Sequence, residues 1–223
     1  MKIKTIIQLL LIPLPWVLRR FVLIRLCNWE ISGSARIGFS FISAAKVSLK
    51  DGSRVGHLNF ISGLDELALG QNSTIGNLNW VTGGLKTTSV RKSRKGKPTR
   101  ALYLRDESAI TNRHYIDCTD ILAIGSFSTF AGVRSQVLTH AIDLVRCELS
   151  TAPVIIGDYT FIGSGCIILP GASLPSFSIL GAGSVLRKSH DESWTLYAGN
   201  PARPIRLIDR GDKYFSRNRG AIG

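Results

Sequence analysis

Between Ile156 and Leu186, a large aliphatic residue occupies every sixth position without exception. A helix of 3.6 residues per turn would scatter residues six apart around its surface, and a single strand gives glycine no reason to follow the aliphatic residue so often. The period instead predicts a solenoid, in which each short strand buries one aliphatic side chain before a tight turn. The six positions are Ile156, Ile162, Ile168, Leu174, Leu180 and Leu186.

The same period continues upstream, with slips of two residues that preserve the inside-outside alternation of a strand. In the first series, which runs from Ile31 to Leu67, Ser43 is the one residue that is not aliphatic. Gln136 would be a poor core residue, so a further slip is predicted that turns Leu138 and Leu144 inward. The other predicted core positions are Ile31, Ile37, Leu49, Val55, Ile61, Leu67, Leu69, Ile75, Val81, Leu104, Ile110, Ile116, Leu122, Ile124 and Phe130.

The repeat predicts one elongated domain over residues 31–208, with an apolar segment at 1–30 and a short tail at 209–223. A hydrophobic content of 44% over 223 residues is enough for one such core, and 22 glycines suit a fold with many turns. The four cysteines form neither C-x-x-C pairs nor metal-finger spacings, which favours a reduced, cytosolic chain without zinc.

Residues 1–30 are strongly apolar, but Pro13, Pro15, Arg19 and Arg20 interrupt them. They fit neither a membrane-spanning helix, which needs about 20 uncharged residues, nor a signal peptide with a small-residue cleavage site. Two interpretations remain open. The segment lies at a membrane interface, on the inner face of the cytoplasmic membrane, or it caps the open end of the solenoid.

The chain has a formal net charge of +13. Part of this charge lies in a predicted insertion at residues 84–101, where the run from Lys86 to Arg100 contains seven cations and no acid. Such runs are usually solvated loops. An insertion leaving a solenoid corner could also meet a phosphorylated substrate or an anionic membrane surface. Nucleic acid is not expected as a partner, because no aromatic residues alternate with the cations.

These features resemble one known family, the left-handed parallel β-helix acyltransferases built on hexapeptide repeats. The resemblance covers roughly residues 31–208 and rests on the hexads, on the run from Thr139 to Asp143, on Gly181-Ala-Gly-Ser-Val-Leu-Arg-Lys188, and on Ala198-Gly-Asn-Pro-Ala-Arg-Pro-Ile-Arg206. The chain looks most like acetyltransferases that modify sugars of surface polysaccharides and lipopolysaccharides. The resemblance implies an all-β, left-handed β-helix, a homotrimer, and acetyl-CoA as acyl donor without a metal.

The resemblance assigns His140 as the general base. Acyl transfer from a thioester to a hydroxyl needs a base near neutral pH, and imidazole is suited to it. Asp143 or a backbone carbonyl could orient the ring, and the sequence does not choose between them. His57, His114 and His190 are interpreted as turn or surface residues by default, but His114 is the second candidate for the base.

When the acyl-CoA groove of the family is matched to this sequence position by position, the resemblance predicts six donor-binding residues. Arg187 stands where the family commonly has threonine, so its contact is the least defined. Arg113, His114, Asp117 and Asp143 are candidates for the acceptor site. The predicted donor-binding residues are Ser164, Ala182, Arg187, Lys188, Arg203 and Arg206.

Three classes of function are weighed. The first is an acetyl-CoA-dependent O-acetyltransferase acting on a saccharide, possibly lipid-linked, with N-acetylation of an aminosugar nucleotide as an alternative. The second is a β-helix carbonic anhydrase, which needs three histidines at one metal, and His57, His114 and His140 are unevenly spaced for that. The third is a non-catalytic assembly module.

Overall fold

The structure, a computed structural model, describes residues 9–84 and 100–222. Residues 1–8 and 85–99 lie outside the described residues, and so does most of the predicted basic insertion at 84–101. The described chain winds into a column of coils with three walls of parallel strands. Each coil adds one strand to each wall, and parallel pairing joins it to the coils before and after. The predicted fold class, an all-β parallel β-helix of hexapeptide repeats, is confirmed.

The three walls are numbered in the order in which the first coil meets them. Two long strands, Phe41–Leu49 and Phe60–Leu69, bend around a corner and contribute to both the third and the first wall. The remaining strands of the first wall are Glu30–Ile31, Ala101–Leu104, Leu122–Ile124, Val154–Ile156 and Ser173–Leu174. Those of the second are Arg36–Ile37, Arg54–Val55, Thr74–Ile75, Ala109–Ile110, Thr129–Phe130, Phe161–Ile162, Ile179–Leu180 and Thr195–Ala198. Those of the third are Trp80–Thr82, Tyr115–Asp117, Gln136–Val137, Ile167–Ile168 and Val185–Leu186.

Each wall carries a column of inward side chains, one from every coil, and these columns form a single core. In the second wall, for example, Ile110 pairs with Phe130, which pairs with Ile162 and then Leu180. All six positions of the uninterrupted hexads are buried, as predicted. Burying each such side chain contributes roughly 1.5–3 kcal/mol relative to leaving it exposed, so the regular hexads hold the C-terminal coils together.

Two of the predicted core positions are wrong, and a third is displaced. Val137, not Leu138, fills the core of its coil, and Leu144 is 88% exposed. The turn after Phe130 is one residue longer than a hexad allows, with Gly132 and Arg134 both at positive φ, so the register shifts by one residue and not by two. Similarly, Ile42 and not its neighbour Ser43 points inward in the first coil.

The segment after His140, in which Leu144 was predicted to turn inward, is an antiparallel hairpin, His140–Asp143 paired with Glu148–Thr151. It leaves the column at the corner between the third and first walls, and Leu144 lies in its turn. Because the hairpin stands away from the coils, its apolar residues do not reach the core.

A helix, α1 (Trp16–Cys27), covers the first coil. Leu23 and Cys27 pack into the core, and the buried guanidinium of Arg19 donates to the carbonyl oxygens of Gly38 and Ser40, both at 2.7 Å. These bonds satisfy acceptors at the open end of the solenoid, so α1 acts as the cap that one of the two interpretations expects. None of the helices in the described ranges is long and apolar enough to cross a membrane.

At the other end, the strand Arg203–Leu207 turns back antiparallel to Thr195–Ala198. The tail continues through a 3₁₀ helix, Lys213–Phe215, along the outside of the coils. The Tyr214 hydroxyl donates to the Thr160 carbonyl at 2.6 Å, and the Arg217 guanidinium lies 3.8 Å from the Tyr214 ring centroid. The tail is therefore part of the packed structure.

Candidate active site

His140 lies directly after a strand of the third wall, where the chain turns towards the first wall. The strand Gln136–Val137 pairs with Tyr115–Ile116 of the preceding coil, which brings the end of that coil's strand next to the start of the hairpin. The imidazole is 39% exposed, so it is fixed at its base and open on its outer side. The corner between the third and first walls is called the His140 edge below.

The ring is held by Asp117, whose Oδ2 lies 2.8 Å from His140 Nδ1. The Asp117 carboxylate is buried and receives further hydrogen bonds on both oxygens. The Thr119 hydroxyl donates to Oδ1 at 2.6 Å, and the Thr139 backbone N–H donates to Oδ2 at 2.9 Å. This network fixes the carboxylate in one orientation and, through it, the imidazole.

The same contacts determine the charge of Asp117. Burial opposes ionisation, but hydrogen bonds from Thr119, His140 and Thr139 outweigh it, so the pKa of Asp117 lies below its ordinary value. An ionised carboxylate accepts a hydrogen bond from Nδ1–H, which leaves the lone pair of the neutral ring on Nε2. His140 is therefore arranged to accept a proton at Nε2 from a group outside the column.

The partner of the His140 ring is Asp117, and not Asp143 or a backbone carbonyl, the two partners that the sequence left open. Asp143 instead accepts from the Arg146 guanidinium, with Nε at 2.8 Å, inside the exposed hairpin. The ring nitrogen Nδ1 faces a carboxylate and not a backbone carbonyl. Asp117 was expected in the acceptor site, but its buried carboxylate faces His140 and not the solvent.

His114, the second candidate for the base, is buried within its coil at 2% exposure. Its Nε2 lies 3.0 Å from the Thr111 hydroxyl, and its Nδ1 accepts from the Ser135 N–H at 3.2 Å. Burial lowers the pKa of His114 to about 4. Both nitrogens are used inside the fold, which is the environment of a structural histidine. The neighbouring Arg113 is exposed, with positive φ, at the corner between the second and third walls.

Three of the predicted donor-binding residues come together around one cavity of about 830 Å³, lined by Arg187, Lys188 and Arg203. Arg187 and Lys188 directly follow the strand Val185–Leu186, which lies two strands beyond Gln136–Val137 in the third wall. They are thus on the His140 edge, about 10 Å further along the column at a strand spacing of about 4.8 Å. Asp191, Glu192, Tyr197 and His190 also line this cavity, and sequence reasoning did not single them out.

Ser164 and Ala182 lie at the opposite edge of the third wall. Ser164 precedes the strand Ile167–Ile168, whereas His140 follows the paired strand Gln136–Val137, so parallel pairing puts them at different ends. Both residues are exposed in stacked turns, where the Gly183 N–H donates to the Ser164 carbonyl at 2.9 Å. Arg206 is exposed on the last strand, and its guanidinium donates to the Leu207 carbonyl at 3.0 Å. One chain does not bring all six predicted residues together.

Thr119 and Thr139 are the site residues that the sequence did not reveal. The only available signal was the position of Thr139 beside His140. Within residues 9–84 and 100–222, no three His, Cys, Asp or Glu side chains are grouped so that they could hold a metal ion.

Comparisons with known proteins concern the fold and part of the sequence. No family model matches the chain. A stretch of 68 residues is 37% identical to galactoside O-acetyltransferase of Escherichia coli and covers 30% of this chain and 33% of that protein. The matched stretches span 27–33% of the length of the curated relatives.

Two solved structures share the fold. One is a point mutant of AntD, an N-acyltransferase from Bacillus cereus in complex with dTDP-4-amino-4,6-dideoxyglucose and coenzyme A, with a TM-score of 0.53 at 18% identity over 77% of this chain and 84% of that one. The other is the hexapeptide-repeat-containing acetyltransferase VCA0836 of Vibrio cholerae with acetyl-CoA, with a TM-score of 0.51 at 23% identity over 63% and 70%. The resemblance to hexapeptide-repeat acyltransferases holds in local sequence and in fold.

Proposed function

We propose that this chain, which resembles the hexapeptide-repeat acyltransferases, transfers an acyl group from acyl-CoA to a hydroxyl of a saccharide. The observation that carries the proposal is the pair Asp117–His140. A buried, ionised carboxylate holds Nδ1 at 2.8 Å, and the imidazole is open to solvent on the edge that also carries the cavity lined by Arg187, Lys188 and Arg203. A base with one nitrogen fixed and the other open is what acyl transfer to a hydroxyl requires.

In this proposal, His140 Nε2 removes the proton of the acceptor hydroxyl as its oxygen attacks the thioester carbonyl. A carbon–oxygen bond forms, and the carbonyl becomes a tetrahedral intermediate. The carbon–sulfur bond then breaks, and the imidazolium returns the proton to the departing thiolate. Asp117 keeps the ring in the required tautomer and stabilises the imidazolium while it exists.

Acetyl-CoA is the proposed donor. Arg187, Lys188 and Arg203 present guanidinium and ammonium groups to the cavity, and such groups recognise phosphates well. The distance of about 10 Å between this cavity and His140 suits a donor whose phosphates bind at one place and whose thioester reacts at another. The cavity of about 830 Å³, which the acidic residues Asp191 and Glu192 also line, is within the usual range for small-molecule sites.

A homotrimer is proposed because the predicted donor-binding residues lie on two different edges of the column. Ser164 and Ala182 lie on the edge opposite to His140, so a groove containing all of them needs the His140 edge of one copy beside the other edge of a second copy. A closed ring repeats this contact between neighbouring copies, and three is the number of copies that the family resemblance implies. Sedimentation equilibrium is expected to give three times the chain mass of 24.3 kDa.

The acceptor belongs, in this proposal, to surface polysaccharide or glycolipid synthesis at the inner face of the cytoplasmic membrane. The support is the outer side of α1, where Val17 is 77% exposed, Phe21 61% and Leu18 56%. Large apolar side chains clustered on one exposed surface mark an interaction site, and a lipid surface accepts them together with the nearby cation Arg25. In this proposal, the inner side of α1 caps the solenoid and its outer side contacts the membrane.

The function is tested by following release of free CoA thiol from acetyl-CoA, with a glycolipid and polysaccharide extract as acceptor. Release that depends on the acceptor supports acyl transfer, and treatment of the labelled product with dilute alkali separates esters from amides. An alkali-labile acetyl group supports O-acetylation. An alkali-stable one favours N-acetylation of an aminosugar, and no release from acetyl or longer donors favours a non-catalytic module.

A further inference from the structure

The corner between the second and third walls carries one turn residue at positive φ in each of six successive coils. Each of these turns donates a backbone N–H to a carbonyl oxygen of the turn before, so the six residues form one stack. Along the stack the side chains change from apolar to cationic, and the last two positions have none. In chain order the residues are Leu58, Leu78, Arg113, Arg134, Gly165 and Gly183. This corner is called the Arg134 edge below.

The two arginines occupy the coils that carry the proposed base and its partner. Arg134 comes before the third-wall strand that His140 follows, and Arg113 comes before the strand that ends at Asp117. In both coils the width of one wall separates the arginine from the catalytic pair. The cations of the stack therefore lie at the same height along the column as the base.

Both arginine side chains are exposed. Within residues 9–84 and 100–222, neither guanidinium takes part in an ion pair, and the pairs found there join other side chains. Positive φ is uncommon for residues other than glycine, asparagine and aspartate, so the turns give no conformational reason for arginine. Two cations in adjacent coils repel each other, and an anion bound between them removes that repulsion.

The proposed homotrimer brings these arginines to the base of a neighbouring copy. Its donor groove places Ala182 of one copy beside Arg187 of the next, and these two residues flank one third-wall strand. In a ring whose columns run parallel to the axis, the same rotation places each Arg134 edge beside a His140 edge at equal height. Arg113 and Arg134 of one copy then face the two coils of the next copy that hold its base.

The position of the arginines along the column separates them from the donor. Ser164 and Ala182, the predicted donor-binding residues on the Arg134 edge, are in the next two coils, each beside a glycine of the stack. Turns with glycine leave room for a substrate chain close to the backbone. Arginine replaces glycine at the coil of the base, where the donor meets the second substrate. The anion that the arginines suit therefore belongs to the acceptor.

The chemistry of the pair selects a charged acceptor. Guanidinium groups bind phosphate and carboxylate oxygens through paired N–H donors. The hydroxyls of a neutral sugar bond equally well to uncharged amides, which both donate and accept. Two unpaired arginines in adjacent coils therefore favour a saccharide that carries a negative charge.

We propose that Arg113 and Arg134 of one copy form an anion subsite beside His140 of the neighbouring copy. The acceptor is an anionic saccharide whose phosphate or carboxylate binds there, so that one of its hydroxyls reaches His140 Nε2. The inference rests on the proposed function and names the substrate class of its acceptor. The arginines take no part in proton transfer and act as positioning residues.

The first test concerns the acceptor. The glycan extract is separated by anion exchange into a neutral and an acidic fraction, and each serves as acceptor for the full-length protein. Thiol release is expected with the acidic fraction. Dephosphorylation with cold aqueous hydrofluoric acid abolishes it if the anion is a phosphate, and reduction of carboxyl groups abolishes it if the anion is a carboxylate. Release with the neutral fraction, or release that survives both treatments, would overturn the proposal.

The second test changes the arginines. The double variant Arg113→Gln/Arg134→Gln is expected to raise the half-saturating concentration of the acidic fraction at least tenfold, with the KM for acetyl-CoA within about twofold of wild type. Arg113→Lys/Arg134→Lys, which keeps the charge, should recover part of the loss. The matched control is Arg54→Gln/Arg105→Gln, which removes two exposed cations away from both edges of the third wall and should change neither value.

Three results of the second test would contradict the subsite. A rise in the KM for acetyl-CoA in place of the acceptor effect would assign the arginines to the donor phosphates. A lower mass in sedimentation equilibrium would assign them to contact between copies. An equal loss in the control variant would reduce the effect to net charge.

Mixed trimers test whether the base and the arginines come from different copies. Chains with His140→Ala and chains with Arg113→Gln/Arg134→Gln are co-expressed with different tags, and only particles with both tags are kept. In a ring of three, one interface then joins an intact base to an intact arginine pair. At low acceptor concentration about a third of wild-type release is expected. Release no higher than that of the arginine variant alone would contradict the shared site.

A readout without turnover separates this inference from the proposed function. Immobilised His140→Ala protein, with and without Arg113→Gln/Arg134→Gln, is exposed to the labelled acidic fraction, and retention that requires the arginines is expected. Such retention with no wild-type thiol release from any donor would reject acyl transfer but not the anion subsite. Thiol release without arginine-dependent retention would reject the subsite and leave acyl transfer in place.

Discussion

His140 Nδ1 and Asp117 Oδ2 are 2.8 Å apart although 23 positions separate the residues in the sequence. One coil of the solenoid accounts for this distance. Asp117 ends a third-wall strand, His140 follows the paired strand of the next coil, and Thr139 connects them by donating its N–H to the same carboxylate. Parallel stacking thus converts a long separation in sequence into a direct contact.

Asp117→Asn is expected to lower kcat by roughly 10²–10³-fold, because an amide cannot stabilise the imidazolium and does not enforce the tautomer with the lone pair on Nε2. The KM for acetyl-CoA should change little, since the donor cavity lies about two strand spacings away. The measurement is steady-state thiol release. Asp143→Asn is the matched control, because Asp143 pairs with Arg146 and not with His140, and it should retain wild-type kcat. Equal losses in both variants would refute the assignment of Asp117.

The buried His114 is expected to make the fold less stable in acid. Its pKa is about 4 in the fold and 6.5 in the unfolded chain, so the unfolded state binds more protons between these values. The free energy of unfolding should therefore rise with pH from about 4 to 6.5, and this group should add no slope above that range. Urea unfolding at several pH values measures the slope. His114→Asn should reduce it whatever its effect on overall stability, and an unchanged slope would contradict the account.

The register of the core predicts that Val137→Ala and Leu144→Ala lower the free energy of unfolding by different amounts. Val137→Ala should destabilise the protein by about 2–3 kcal/mol, because it removes buried methyl groups and leaves a cavity. Leu144→Ala, in the exposed hairpin turn, should stay within about 0.5 kcal/mol of wild type. Urea denaturation midpoints compare the two. A larger loss at Leu144 would favour the register expected from the hexads alone.

The outer face of α1 predicts binding to lipid. Wild-type protein should float with vesicles of phosphatidylcholine and phosphatidylglycerol at a ratio of three to one. The double variant Val17→Glu/Phe21→Glu should lose at least tenfold in bound fraction, because buried carboxylates in the acyl boundary are costly. Leu207→Glu, equally exposed at the other end of the column, is the control and should bind as wild type. Equal flotation of all three proteins would remove the membrane contact.

The hexads predicted most of the core because a coil with three walls repeats one inward residue every six positions. The prediction failed where a turn has a different length. The extra residue between Phe130 and Val137 moves the register by one, and no residue type in that turn signals an insertion. Leu144 was likewise predicted to turn inward, because it keeps the period with Leu138, but it lies in the turn of the hairpin.

The family resemblance predicted His140 as the base, but the sequence could not identify Asp117 as the residue that holds its ring. That contact depends on which coils are neighbours, and coil length varies between Ile110 and Ile168. The predicted donor-binding residues lie apart in the structure for a similar reason. Arg187 and Ser164 belong to different corners, and the corner that a residue occupies follows from its place within the coil and not from its neighbours in the chain.

Acceptor-dependent release of CoA thiol, compared between wild type and His140→Ala, is the most direct measurement of the central claim. The account predicts a loss of roughly 10²–10⁴-fold in kcat for the variant, as expected when a general base is removed, with the fold intact by circular dichroism. Release that continues at the wild-type rate in His140→Ala would contradict the assignment of His140 as the base.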